Sequence, residues 1–470
     1  MLRVYSIISM VIMAYVIFPG QTLADTQSLI QPSLTVSQEY TDNLFLTDED
    51  EESEWITVVS PKLAYNVSGK DFNVDIAYAP GFTFYDDRDD LDSIRHRANL
   101  SISKQLGQHL TLRVTDVLTR TEEPYSRAER RKDRRDISEL ERETLRDLTD
   151  STFENNREPR LSNTARTRLE YEFGPKDRIY VGYQHGLVED DDPEESDSTR
   201  HIPEAGLRYW FTPHFGLDLS GSYTIADFTD DDKDRDPQDE DELRDRENDF
   251  DRWKGRARLI RNFSRFWDGY IQYIHTAMDF DDNGDEEGQG EGDYQVYEPS
   301  LGFDYRFSKI GSASLGLGYY YRDYDDDQDA NDDDEAGFLI NADIDLFWDY
   351  PRWSFELLGE SGYEETYFGN QDLGFTIFYG AEASVNYLLT KRATTGLSLA
   401  YQYNEYTDED PDRRDHVGSI SGMINYQLLE WLYLNLSETF RLVDSNIDEE
   451  DYTENSVILS VTLEPRPLRY

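Results

Sequence analysis

The sequence predicts an all-β protein: a transmembrane, antiparallel, up-and-down β-barrel of about twenty strands, with about eighteen to twenty-two admitted by the spacing of the turns. Three observations predict it. Apolar and polar residues alternate with period two along most of the chain, which sends alternate side chains to opposite faces of a sheet. Short links alternate strictly with long ones, so every long loop falls at one end, as in barrels with short periplasmic turns and longer extracellular loops. The long links carry most of the acid, and the tryptophans stand at strand ends.

Length and charge need this fold to make sense. A chain of 470 residues would ordinarily divide into roughly two or three domains. One closed sheet absorbs the whole length instead, and residues 25–470 are expected to form a single barrel domain. A hydrophobic fraction of 37% and a net charge of -53 would alone suggest disorder. Against that stand 33 Tyr, 23 Phe and 7 Trp, and an acid content clumped into loops. Cysteine is absent, which removes a disulfide framework, thiolate metal sites and a lipidated cysteine.

The chain opens with an export signature over residues 1–24. Arg3 is the charged start, Val4 to Phe18 is an apolar run of about fifteen residues, and Thr22-Leu23-Ala24 offers small residues for cleavage. The mature chain is expected to begin near Asp25. The apolar run falls short of the roughly 20 residues of a spanning helix, and Pro19-Gly20 breaks it.

The barrel rhythm starts next. Leu34 to Tyr40 and Trp55 to Val67 alternate on either side of the acidic tract Thr47 to Glu54, and Ser68 to Asp71 turns the chain into Phe72 to Tyr85. The same stretch carries a resemblance. Ser33-Leu34-x-Val36-x-x-Glu39-Tyr40-Thr41-Asp42-Asn43-Leu44-Phe45, with Trp55-Ile56-Thr57-x-x-Ser60-Pro61-x-Leu63, resembles the opening of the outer-membrane β-barrel porins associated with bacterial exopolysaccharide and exosortase systems. It departs from that pattern at Trp55 and at Lys62. The resemblance implies an outer-membrane location in a Gram-negative cell and involvement in polysaccharide export.

Strand pairs then return in order. The short links are Ser68–Asp71, Leu106–Gln108, Gly174–Asp177, Thr212–His214, Ser264–Phe266, Ser308–Gly311, Tyr350–Arg352, Leu389–Arg392 and Leu429–Trp431, several holding the Gly or Pro that turns require. The long links are Asp42–Glu54, Asp86–Asp92, Thr121–Pro159, Glu189–Arg200, Thr229–Asp249, Asp281–Asp293, Asp323–Glu335, Gly369–Asp372, Thr407–Arg414 and Asp444–Thr453. Lipid-facing stripes are expected at Phe215, Leu217, Leu219, Tyr223 and Ile225, and likewise at Leu397, Leu399, Tyr401 and Tyr403. Asp218, Ser220, Ser398 and Gln402 are then left to face a lumen. The tryptophans are placed as interfacial girdles beside the links. Pro465 and Pro467 interrupt pairing, which assigns Tyr470 to a short tail.

Two features invite chemistry. Asp279-x-Asp281-x-Asn283-Gly284 matches the first half of a calcium-binding EF-hand loop, although its twelfth position is Gly290; Asp279, Asp281 and Asn283 are the metal candidates. The long link 121–159 is basic where the others are acidic. Arg130, Arg131, Arg134 and Arg135 lead into a helix-like stripe, Ile137, Leu140, Leu145 and Leu148. Two placements stay open: inside the lumen, lending positive charge to an acidic pore, or outside against lipopolysaccharide phosphates.

Nothing points to catalysis. The seven His are scattered along the sequence without metal-ligand spacing, and no nucleophile elbow or phosphate loop is present. The expected function is a porin-like channel, passing or exporting exopolysaccharide or other polar solutes. The alternative is a non-transporting surface barrel whose acidic loops bind divalent cations, matrix or partners. No cofactor is expected beyond calcium at those loops. Lipid, lipopolysaccharide, polysaccharide and the barrel-assembly machinery are the expected partners; nucleic acid is not.

Overall fold

The computed structural model describes residues 26–122, 159–190, 197–229, 249–280, 293–307, 310–324, 335–366, 374–407, 413–447 and 450–469. The first strands are β1 (Gln27–Thr41), β2 (Glu54–Ser68), β3 (Phe72–Tyr85), β4 (Ser93–Gln105), β5 (Leu110–Thr121), β6 (Arg160–Glu172) and β7 (Arg178–Asp190). Next come β8 (Asp197–Thr212), β9 (Phe215–Thr229), β10 (Phe250–Asn262), β11 (Trp267–Phe280), β12 (Tyr294–Arg306), β13 (Gly311–Tyr324) and β14 (Glu335–Asp349). The last are β15 (Trp353–Thr366), β16 (Gly374–Thr390), β17 (Ala393–Tyr406), β18 (Arg413–Leu429), β19 (Leu432–Ser445), β20 (Tyr452–Leu463) and β21 (Leu468–Arg469).

Each strand from β1 to β19 pairs antiparallel with its successor, and β1 pairs back onto β20 from Leu34↔Leu463 to Thr41↔Ser456. The sheet therefore closes into an up-and-down barrel of twenty long strands. Closure removes the sheet edges, which is what lets a β-sheet sit in lipid. Every short link expected from the sequence joins strands at one end, and every long link at the other.

Closure continues past the prolines that were expected to stop it. Leu468 and Arg469 pair with Ile30 and Leu29 as β21. Between the two ladders β1 advances from Ile30 to Leu34 while the facing chain runs from Leu463 to Leu468, one residue more. The extra residue bulges where Pro465 and Pro467 have no N–H to donate. Tyr470 lies outside the described residues, as does the export signature of residues 1–24.

The two faces divide as the alternation requires. Leu219, Tyr223, Ile225, Leu397, Leu399 and Tyr401 are exposed on the outer surface, while Asp218 and Gln402 are buried toward the interior. Trp55, Trp253, Trp267 and Trp353 are exposed on the outer face, as girdle residues are. Trp210 corrects that expectation. Its neighbours Tyr209 and Phe211 take the outer positions, and Trp210 turns inward, where Lys176 Nζ lies 4.2 Å from the ring centroid.

The first acidic loop is folded, not merely solvated. Asn43 is fully buried, and its amide donates to the Thr47 carbonyl (2.7 Å) and to the Thr453 carbonyl (3.0 Å) while its Oδ1 accepts from the Thr47 N–H (3.1 Å). Asp42 Oδ1 accepts from the Asn455 N–H at 2.7 Å. Leu44 packs with Ile56 and Tyr85, and Leu46 reaches over Val417, Val443 and Tyr452. The residues that carried the sequence resemblance thus lock the closing seam of the barrel at its long-loop rim. Beside them, on the link between β3 and β4, Arg88 bonds Asp90 and Glu52; the hydrogen bond from Arg88 holds the Asp90 carboxyl below its ordinary range.

One part of the wall departs from the cylinder. The ladder between β14 and β15 stops at Ala342↔Ser361, although β14 continues to Glu335 and β15 to Thr366. Above that point β15 parts from β14 and leans into the lumen with β16, which stays laddered to β17 as far as Thr376↔Tyr406. Phe375 of β16 sits 4.8 Å from Tyr363 and 5.4 Å from Tyr320 of β13, ring centroid to ring centroid. Around it many inward residues of β9 to β14 are apolar, with Ala226, Phe250, Met278, Tyr294, Val296 and Leu339 buried in one cluster.

Candidate functional site

The lumen below that cluster is where the chemistry of the chain collects. Inward positions on β10 read Arg252, Lys254, Arg256 and Arg258, a cation at every second residue. Two residues of strand advance about 7 Å, so these charges form a ladder along the barrel axis. Arg166 and Arg168 on β6, Arg178 on β7 and Arg200 and Arg208 on β8 extend it into a basic wall. In a barrel of twenty strands, β14 to β16 lie across from β4 to β6, and their inward positions carry Asp343, Asp345, Glu356, Glu360 and Glu382. The lumen is therefore polarised across its width.

Much of the basic wall is held in place by bridges that cross a strand. Glu204 of β8 accepts from Arg166 (2.7 Å) and Arg168 (3.2 Å) of β6. The intervening strand offers Gly182, where an added Cβ would fall 2.3 Å from Glu204 Oε1, so the glycine is the gap that the carboxylate passes through. Asp218 bridges Arg208 (2.5 Å) and Arg256 (3.5 Å). Arg258 stacks at 3.6 Å on Tyr270 and donates to both oxygens of Asp304 at 2.8 Å. Arg166 is almost fully buried, and a buried cation persists only when paired and hydrogen-bonded.

The same contacts decide what the inward tyrosines can do. Tyr270 lies over Gly302 and Gly316, and Tyr180 over Gly206, with Arg258 and Arg168 respectively on the open ring faces. These rings are covered by guanidinium, so they serve as seats for cations and not as bare stacking platforms. Elsewhere the wall is open to water: Lys62, Arg97, Asn99 and Ser162 face inward on β2 to β6 and are exposed. From β17 round to β1 the inner face is rich in hydroxyls, with Ser398, Ser421, Thr439, Ser460 and Thr35 among its residues, and its arginines toward the long-link end are paired, Arg413 with Asp415 and Arg441 with Glu454.

Few of the candidate site residues from the sequence lie here. Arg130, Arg131, Arg134 and Arg135 lie outside the described residues, as do Asp281 and Asn283. Asp279 is exposed at the long-link end of β11, on the outer face, paired through its backbone with Asp251. Among the described residues no three His, Asp or Glu side chains converge as a metal site would require. The histidines, scattered in sequence, are not scattered in space. His96, His185, His201, His275 and His416 all lie on the outer face three to five residues from the long-link ends of their strands. His96, His201 and His416 bond the hydroxyls of Tyr78 (2.9 Å), Tyr183 (2.5 Å) and Tyr401 (2.7 Å), forming an interfacial belt.

The cation ladder was open to sequence reasoning and was missed. Arg252-x-Lys254-x-Arg256-x-Arg258 is a period-two run of one sign, the polar counterpart of an apolar stripe.

Comparison with known proteins agrees with this geometry. The family described as "Putative beta-barrel porin 2" matches residues 214–465, from the start of β9 to just beyond β20. Among solved structures, the chain is similar to OpdK of Pseudomonas aeruginosa with vanillate at 11% identity, covering 94% of this chain and 99% of that one, with a TM-score of 0.39. The ferric enterobactin receptor PfeA of Pseudomonas aeruginosa matches at 9% identity, covering 95% and 81%, with a TM-score of 0.46. The ferric-catecholate import receptor Fiu of E. coli matches at 12% identity, covering 92% and 81%, with a TM-score of 0.44. At such scores the barrel reading rests on the closed strand ladder. No curated protein matches the chain in sequence. The family covers more than half of the chain and the sheet closes as an outer-membrane barrel must, so this chain belongs to the family described as "Putative beta-barrel porin 2", a porin-like β-barrel of the outer membrane.

Proposed function

We propose that the barrel passes anionic polar solutes across the outer membrane, with acidic exopolysaccharide or its fragments as the cargo class that suits the lumen best. The observation that carries this reading is the inward ladder Arg252, Lys254, Arg256 and Arg258 with its neighbours Arg166, Arg168 and Arg208, in a chain whose net charge is -53. Cations concentrated on one inner wall, against the sign of the whole protein, give an anion successive partners along its path. Their bridges to Glu204, Asp218 and Asp304 leave them only partly available, and conduction needs sites weak enough to release what they bind. The acidic loops repel the same anions at the rim, which sets a barrier before the lumen attracts. The outer face would meet lipid and lipopolysaccharide, and insertion would use the barrel-assembly machinery.

One observation favours the alternative of a non-transporting surface barrel: the buried apolar cluster across the long-loop end from β9 to β16. Reversal potential in planar bilayers under a KCl gradient separates the two. Anion selectivity is expected, with a shift toward cations when Lys254 and Arg256 are both changed to Gln, and polygalacturonate added to one side should block the current. A folded barrel that stays silent moves the assignment to the surface scaffold; cation selectivity in the native chain overturns the anion reading.

A further inference from the structure

The upper β15–β16 hairpin parts from β14 but stays joined to β17, whose ladder to β16 runs as far as Thr376↔Tyr406. β14 keeps its ladder to β13 as far as Arg322↔Glu335, and β15 keeps its ladder to β16 as far as Thr366↔Gly374. Only the seam between β14 and β15 is open. At the fork Ser361 Oγ accepts from the Ala342 N–H (3.0 Å) and donates to the Ile340 carbonyl, so one side chain occupies the last ladder position. Gly362 lies one residue beyond the fork on β15, and Gly380 opposite Glu360 on β16. A Cβ at Gly362 would meet nothing closer than 3.7 Å, so this glycine is not there to make room. A glycine on each strand at the level of the fork is what a bend in a sheet uses.

The extent of the lean follows from one contact. Lys254 Nζ lies 5.1 Å from the centroid of the Tyr363 ring, although β10 and β15 are five strands apart. At about 4.8 Å per strand that is roughly 24 Å around the wall, far beyond the reach of a lysine. Only a hairpin crossing the lumen brings the two together. Arg322 closes on Phe375 in the same way at 5.1 Å. Residues 374–378 are all buried whichever face they occupy, unlike the alternation of the other strands, and Gly374 at the start of β16 takes a φ of 53°, which favours glycine.

The register already written into the wall gives a second place for the hairpin. Continuing Ala342↔Ser361 upward puts Gly362 opposite Asn341 and Tyr363 opposite Ile340. In that position Tyr363, Phe375 and Ile377 would fall on the outer face beside Ile340 and Phe338, which are 53% and 74% exposed. The same side chains therefore have an apolar surface to meet in either place, the lumen cluster or lipid.

We propose that the top of the β15–β16 hairpin, moving together with the end of β17 to which it is laddered, is a hinged gate: folded in, latched by Lys254 on Tyr363 and Arg322 on Phe375, it closes the long-loop end of the lumen, and zipped onto β14 it opens it. The gate depends on the fork and the register alone and would act on whatever solute the barrel passes.

The chain has no cysteine, so engineered pairs report without background. In Ile340→Cys with Tyr363→Cys, a disulfide forms only when the hairpin zips onto β14. In Lys254→Cys with Tyr363→Cys, a short bifunctional thiol reagent holds it in. Both are made in membrane-inserted barrel whose folding is checked by heat-modifiable gel migration, with each single cysteine as control. The first pair is expected to oxidise and raise single-channel conductance several-fold, reversed by dithiothreitol, and the second to lower it. Failure of the first pair to link while the second links readily would overturn the proposal, because the hairpin would then be fixed. Linkage of both with unchanged conductance would also overturn it, because the hairpin would move without gating. Neither outcome depends on ion selectivity, so the gate and the anion reading stand or fall separately.

Discussion

The wall from β1 to β8 and the wall from β9 to β16 share one alternation, yet they fill the inner face differently near the long-loop end. In the first, inward residues are mostly polar, and a few apolar ones near the rim, Ile56, Tyr85 and Val188, are buried, the first two against Leu44 of the loop after β1. In the second, inward residues turn apolar over the last turns of the wall, and a hairpin of the same chain bends in to cover them. An inward apolar surface has no lipid to meet, so it must be covered or left wet. Covering it here gives up the β14 partners of five β15 residues, Gly362 to Thr366, at about 1 kcal/mol net for each hydrogen bond. Keeping the inward apolar cluster from water returns about 1.5–3 kcal/mol for each large side chain that is covered. The terms nearly offset, which is the condition for an element with two resting places.

The comparison breaks first at the polar wall. Glu204→Gln removes the carboxylate that pairs with Arg166, which is almost fully buried, and with Arg168. Breaking a buried pair on one side costs about 3–5 kcal/mol. The expected loss is at the upper part of that range, read as the urea midpoint of the gel-shift transition in lipid. Gly182→Val should cost nearly as much, because its side chain would take the space that Glu204 crosses. The two should be far from additive, since both remove one bridge. Additive losses would mean that the glycine supports something else.

The apolar wall gives the next effect. Leu339→Ala opens a hole in a fully buried site, and the usual cost is about 2–5 kcal/mol. Leu397→Ala makes the same chemical change on the outer face, where lipid fills the vacated space, and should stay within about 1 kcal/mol. Equal losses at the two positions would show that the cluster is loosely packed and would weaken the contrast between the two walls.

Legibility in the sequence follows the same division. Strand order, link lengths and closure were readable because the period-two pattern and turn residues are local, and each places its strand independently. The inward ladder Arg252 to Arg258 was equally local and went unread, since attention to apolar stripes passes over polar ones. The lean of the hairpin was not readable as a fold. Residues 374–379, Gly-Phe-Thr-Ile-Phe-Tyr, are apolar on both faces, a signal of double burial, but nothing local says which distant wall supplies the second face. The histidine belt was hidden for the same reason: His96 and His416 are far apart in sequence and share only their height on the barrel. Asn43 stands between these cases, because its motif was visible while its task was not.

That task yields the smallest of the expected effects and the most local. The Asn43 side chain makes three hydrogen bonds, two within its own loop to Thr47 and one across the seam to Thr453. Asn43→Ala leaves the Thr47 N–H and two carbonyls without this partner in a buried place, a loss of about 1–3 kcal/mol. A ring of twenty strands does not unfold for that. The seam of β20, β1 and β2 is where the change is felt, since Leu44 and Leu46 are positioned by the turn that Asn43 holds. Hydrogen exchange should therefore quicken at the long-loop ends of β1 and β20 while the ladders from β4 to β8 keep their protection. Leu46 has a φ of 54°, a strained value for a branched side chain, and the strain persists only while the surrounding contacts hold it. If exchange rose evenly around the barrel instead, the seam would have no stability of its own to lose, and the rim loop would be packing on a wall already closed without it.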